Sequence, residues 1–141
     1  MKHQLSADDA AFQAAFEAGH VAPSAFDHRS HVRLAYVYLV AHDTEAAVTC
    51  MRTALQGFLQ HHGIPPAKYH ETLTRAWILA VRHFMERSSD AASAEEFIAQ
   101  NPQLLDTRIM LTHYSAEVLF SDEARGAFVE PDTSPIPRYP R

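Results

Sequence analysis

Phe26-Asp27-His28-Arg29-Ser30-His31 opens the helix from which the rest of the chain is best read. On the helical period of about 3.6 residues, His28, His31, Val32, Ala35, Tyr38, Leu39 and His42 share one side, and Arg29, Ser30 and Arg33 share the other. Two imidazoles three residues apart therefore point into the protein. A neutral imidazole is both a donor and an acceptor, so burying two together calls for partners, which a metal ion or a carboxylate would supply. The spacing predicts a helix over 24–41 with Ser24 as its N-cap.

Outward from that helix, every long periodic segment carries the same spacing. Ser6 caps a first helix that Gly19 stops, and Asp43-Thr44 opens a third over 45–62, which Gly63 ends. Pro65-Pro66 leads into a fourth over 66–87, with His70, Leu73, Thr74, Trp77, Val81 and Phe84 on its apolar stripe. Ser93 and Glu96 read as a capping box for a short helix ending near Asn101. A stripe through Asp106, Ile109, Met110, His113, Ala116, Glu117 and Phe120 predicts a fifth main helix over 102–120, with mediocre propensity and a break near His113. Ser121 caps a last short helix reaching Phe128, and the proline-rich segment 131–141 reads as an extended surface tail. Nothing alternates with period two for long enough to make a sheet.

The expected fold is therefore all-α, an up-and-down bundle of four to five main helices over 1–130 with the proline-rich tail behind it. A chain of 141 residues suffices for one hydrophobic core, and 47% hydrophobic with 21% charged residues is ordinary for a soluble domain. The net charge of -5 opposes broad attraction to nucleic acid or to an anionic membrane, so neither is an expected partner. The single cysteine, Cys50, has no internal partner and reads as a core filler. The N-terminus has no apolar signal core, which makes the expected compartment cytoplasmic.

In an up-and-down bundle, His28, His31, His62, His70, His113 and Glu117 fall at one end, with His31, His70 and His113 about 6 to 10 Å deep. Imidazoles suit zinc, iron, copper or nickel, and three of them with a carboxylate leave a position open for substrate. The candidate metal ligands are His28, His31, His70, His113 and Glu117. Glu71, Tyr38 and Tyr69 are candidate catalytic groups, the first as a base or supporting carboxylate and the tyrosines as hydrogen-bond donors to a substrate oxygen.

The first expectation for function is a metal-dependent enzyme acting on a small molecule, oxidative with iron or copper or hydrolytic with zinc. A second is a non-catalytic module in which the same pocket holds a small ligand, or a metal, without reaction. The third is a structural protein that forms a homodimer through helix 1 or the tail.

Three runs carry a resemblance: Phe26-Asp27-His28-Arg29-Ser30-His31-Val32-Arg33-Leu34-Ala35-Tyr36, then Tyr69-His70-Glu71-Thr72-Leu73-Thr74-Arg75-Ala76-Trp77, then Phe128-Val129-Glu130-Pro131-Asp132. Together they resemble a family of small helical bacterial proteins with no described activity, so the resemblance carries no catalytic or binding residue over. In architecture the chain is similar to the small bundles that hold a metal by three histidines, as in the DinB-like group. Those typically place His-x-x-x-His on a later helix, whereas the close pair here is His-x-x-His on the second.

Overall fold

The computed structural model describes residues 2–139. Among them seven α-helices form: α1 (Ala7–Glu17), α2 (His28–Ala41), α3 (Thr44–His61), α4 (Glu71–Arg87), α5 (Ala94–Gln100), α6 (Ala116–Leu119) and α7 (Asp122–Gly126). No strand forms among the described residues; the sheet-like pairing they contain is an isolated bridge between His3 and Ala91. The fold is all-α, as the periodicity predicts. No helix among the described residues is long and apolar enough to cross a membrane.

α2 and α4 form the centre. Every residue from 34 to 39 and from 76 to 81 is buried, so each helix loses its solvent face there, and the two pack on each other and on α3. The unbroken apolar run Leu34-Ala35-Tyr36-Val37-Tyr38-Leu39 is the cause, since a helix apolar all round is stable only when covered on all sides. α1 covers α2 and α3, and α5 covers α2.

Asp9 ties these covers down. Its buried carboxylate closes the capping box with Ser6, then accepts from Ala94 N at 2.9 Å and from Arg33 Nε at 3.0 Å, so α1, α2 and α5 meet on one charge. Burial pushes the Asp9 carboxyl up, but these hydrogen bonds and the Arg33 charge outweigh it and hold it below the usual range.

Several boundaries differ from the sequence reading, each for a local reason. α2 begins at His28 rather than near Ser24, because Asp27 Oδ1 accepts from Ser30 N at 2.9 Å and is the true N-cap, while Ser24 lies in a 3-10 turn, Pro23–Ala25. α4 begins at Glu71 rather than Pro66, because Pro66–Lys68 winds as a 3-10 turn and the chain is extended at Tyr69 and His70.

The predicted fifth main helix over 102–120 does not form. It is replaced by two 3-10 turns, Pro102–Leu105 and Thr107–Thr112, and by the short α6. Asp106 accepts from Arg108 N, and Ser115 accepts from Val118 N; each short side chain caps a new turn and so interrupts the previous one. α7 ends before Phe128, contrary to the reading that placed Phe128 inside it.

The tail is also more than a surface strand. Ile136 is buried in the core, Tyr139 shares a hydrogen bond with His83 Nδ1, and the chain before it is pinned by Tyr114 Oη donating to Val129 O and by Thr72 between Ala127 and Val129. Of the tail expected over 131–141, residues 140 and 141 lie outside the described residues.

Candidate functional site

The histidines of the opening stretch do point inward, as their spacing implies. His28 and His31 sit one turn apart on α2 with ring centroids 6.3 Å apart. The His28 ring meets Trp77 edge-on at 4.6 Å, and its Nε2 donates to Leu104 O at 2.9 Å, which leaves the acceptor lone pair on Nδ1.

His70 is not mid-stripe on a helix. It is the N-cap of α4: Nδ1 accepts from Leu73 N at 3.1 Å, which requires the proton on Nε2, and Nε2 donates to Leu119 O at 2.8 Å. Both nitrogens are committed, so this ring has no lone pair for a metal or substrate. Burial pushes the His70 imidazole below its usual value against the opposing pull of the Leu119 carbonyl.

His113 and Glu117 belong elsewhere. His113 Nδ1 bonds Ser134 O at 2.7 Å, and its own carbonyl accepts from Thr133 and Ser134, which makes it an anchor for the tail. Glu117 is exposed in the first turn of α6. The five candidate ligands are thus not brought together, and among the described residues no three His, Cys, Asp or Glu side chains stand close enough to share a metal ion.

The candidate catalytic groups divide in the same way. Glu71 is held by Arg52 through Nε at 3.0 Å and Nη2 at 2.7 Å, and accepts from Tyr69 Oη at 2.7 Å. The Arg52 guanidinium keeps Glu71 well below the usual carboxylate range against the effect of burial, so Glu71 bridges α3 and α4 as an ion pair rather than standing free as a base. Burial pushes the Tyr69 hydroxyl up to about 12. Tyr38 lies on another face altogether, where its hydroxyl donates to Glu17 Oε2 at 2.5 Å.

What the fold does assemble is a cavity of about 210 Å³ behind the start of α4, with His31, His70 and Tyr69 in a wall otherwise made largely of Phe26, Leu55 and Phe58. Asp27 positions His31 by starting α2 one turn earlier, and the extended residues before Glu71 bring Tyr69 and His70 to the same opening. His31 differs from His70 in that its ring makes no hydrogen bond among the described residues, its backbone N–H alone donating to Asp27 O; the influences on the ring are burial, first, and the neighbouring His28. Together they push its imidazole down to about 4, so it is neutral across the physiological range. His31 is not fully buried, and it is part of the cavity wall.

Sequence reasoning missed a second cavity, of about 600 Å³, between α1, the end of α2 and α3. Its wall includes Glu17, Tyr38, Cys50 and Phe58. The signals for it were Gln13 and Glu17 one turn apart on α1 and a glycine, Gly57, inside α3.

These features define a helical domain in which two of the side cavities share Phe58 as a dividing wall. Comparison with protein-family profiles, with characterised proteins and with solved structures finds no match for the chain.

Proposed function

We propose that this chain is a small-ligand-binding domain whose ligand enters the cavity beside His31, in an up-and-down packing of the long helices. The observation that carries the reading is the contrast within one cavity wall: His70 has both ring nitrogens committed to backbone, whereas His31 presents an unbonded neutral imidazole. A mostly apolar pocket with a few polar groups is the usual form of a small-molecule site, and here Tyr69, His70 and Thr74 are bonded within the protein, which leaves His31 and Lys68 as the polar groups of the wall without such bonds among the described residues. A dry cavity of about 150 Å³ is enough for benzene, so about 210 Å³ suits a monocyclic ligand with one hydroxyl. The hydroxyl pairs with His31, and the ring rests on Phe26 and Phe58.

Binding suits this site better than proton transfer does. A general base works best with a pKa near the working pH, and an imidazole pushed down to about 4 is two to three units too weak a base at neutrality. Calorimetric titration with phenol tests the reading. Saturable binding by the wild type, with at least a tenfold loss in His31→Phe and with benzene, which lacks the hydroxyl, binding more weakly, is the expected result. Equal affinity of wild type and His31→Phe contradicts it.

A metal-dependent enzyme is the second reading, favoured by one observation: His28 donates Nε2–H to a backbone carbonyl, the arrangement that orients metal-binding imidazoles, and lies beside His31. His28 and His31 would then be the protein ligands for zinc, iron, copper or nickel. Metal analysis of untagged protein decides between the two: near-stoichiometric metal that is lost in both His28→Ala and His31→Ala favours the enzyme, and its absence favours the metal-free pocket.

A further inference from the structure

The cavity between α1 and α3 has a chemistry opposite to that of the His31 cavity. Glu17 stands at its edge and belongs to no ion pair among the described residues, and the wall contains neither Lys nor Arg. Two donors converge on one oxygen of its carboxylate: Tyr38 Oη at 2.5 Å and Gln13 Nε2 at 3.2 Å, both to Oε2. The other oxygen, Oε1, receives no side-chain donor among the described residues. Tyr38 has given its proton to this bond, so its hydroxyl offers only acceptor lone pairs, while Gln13 keeps its carbonyl oxygen as an acceptor and its second amide hydrogen as a donor. His42, His61, Thr49 and Thr53 also stand in the wall, but its one carboxylate keeps an oxygen without a side-chain donor, and that oxygen calls for a cation with N–H donors.

The deeper wall is apolar. Phe16 and Phe58 lie parallel with centroids 4.9 Å apart, and Ala54 and the exposed Gly57 of α3 leave the α3 side of the cavity open. Gly57 is the informative residue: a Cβ built on it meets nothing within 4 Å, so neither packing nor backbone geometry demands glycine there. A mid-helix glycine weakens a helix, and here the space it leaves belongs to the cavity. Gly19, across the cavity, is glycine for a different reason, since its φ is +79° and a Cβ there would come within 2.5 Å of the His61 ring.

We propose that this cavity is a binding site for a primary organic ammonium with an apolar body, the ammonium on Glu17 and Tyr38 and the body against Phe58, Ala54 and the open α3 side at Gly57. A carboxylate beside an apolar wall recognises this class of ligand, because the carboxylate accepts the ammonium hydrogens and the wall takes the apolar body.

Phenethylammonium is the probe, with 2-phenylethanol as its neutral counterpart and 3-phenylpropionate as the anionic one. Calorimetry is expected to show saturable binding of phenethylammonium below about 10 mM, and affinity about ten- to a hundredfold weaker for 2-phenylethanol and for Glu17→Gln, the worth of one charge-assisted hydrogen bond. Gly57→Leu places a branched side chain on the α3 side of the cavity, so it is expected to weaken binding at least tenfold while the protein stays folded. His31→Phe is expected to leave binding unchanged, which separates this site from the cavity on the other side of Phe58. Cys50 gives an independent reading: it is the sole cysteine and lines this cavity, so saturating phenethylammonium is expected to slow its alkylation several-fold. No saturable binding, equal binding of the alcohol or the carboxylate, or unchanged binding in Glu17→Gln or in folded Gly57→Leu overturns the proposal.

Discussion

The His31 cavity and the Glu17 cavity share Phe58 as a wall, yet they treat polar groups in opposite ways. Beside His31 the polar group is stripped of partners and kept neutral by burial. Beside Glu17 the polar groups are bonded to one another and leave a carboxylate oxygen facing the opening. The difference teaches that ten histidines in a sequence do not mark one site. What distinguishes a histidine available for a ligand from one that holds the chain together is whether its two nitrogens are already used.

The largest effect is expected where that distinction is sharpest. His70→Ala removes the cap from α4 and leaves Leu119 O without its donor, which should cost about 3 kcal/mol in urea unfolding. His31→Phe breaks no hydrogen bond and keeps an apolar ring in place, so its cost should stay within about 1 kcal/mol. Equal losses would remove the contrast between fixed and free imidazoles.

Next in size is a pH effect led by His31. The folded value of about 4 lies below the unfolded value of 6.5, so as pH falls the unfolded chain takes up the proton first. Stability from this group is therefore complete above pH 6.5, falls between 6.5 and 4 by about 1 kcal/mol per pH unit, and is level below that. His70 and His83 are shifted in the same direction and add to the slope. Urea midpoints between pH 7 and 4.5 should fall less steeply in His31→Phe than in the wild type; parallel slopes would contradict a buried neutral His31.

On the Glu17 side the effects are smaller. Tyr38→Phe should cost about 1 kcal/mol, one hydrogen bond lost from a carboxylate that water still reaches. Gly57→Ala should stabilise by a little under about 1 kcal/mol, since the added methyl meets open space and the helix gains a better former. A destabilised Gly57→Ala would mean that the space above Gly57 is filled by protein.

Much of the fold was legible in the chain itself. Period and caps locate the first four helices because Ser6 and Asp43 sit where an N-cap must and Gly19 and Gly63, both at positive φ, sit where a helix must stop. The segment after Pro102 was not legible as it folds, because a stripe through Asp106 and His113 satisfies helical spacing while Asp106 and Ser115 quietly terminate each turn by capping the next. The inward direction of His28 and His31 was legible from three-residue spacing. That His70 caps a helix was not, since Pro65-Pro66 offers an earlier start that the backbone takes only as a 3-10 turn. The pairing of Glu17 with Tyr38 joins residues of different helices, and no local pattern records it.

The most direct test of the account is the ring nitrogen spectrum of the histidines, recorded by NMR at neutral pH with and without saturating phenol. The account predicts neutral His31, with its nitrogen resonances moving on addition of phenol, and His70 fixed as the Nε2–H tautomer in both spectra. A protonated His31, or phenol that moves His70 and leaves His31 unchanged, would contradict it.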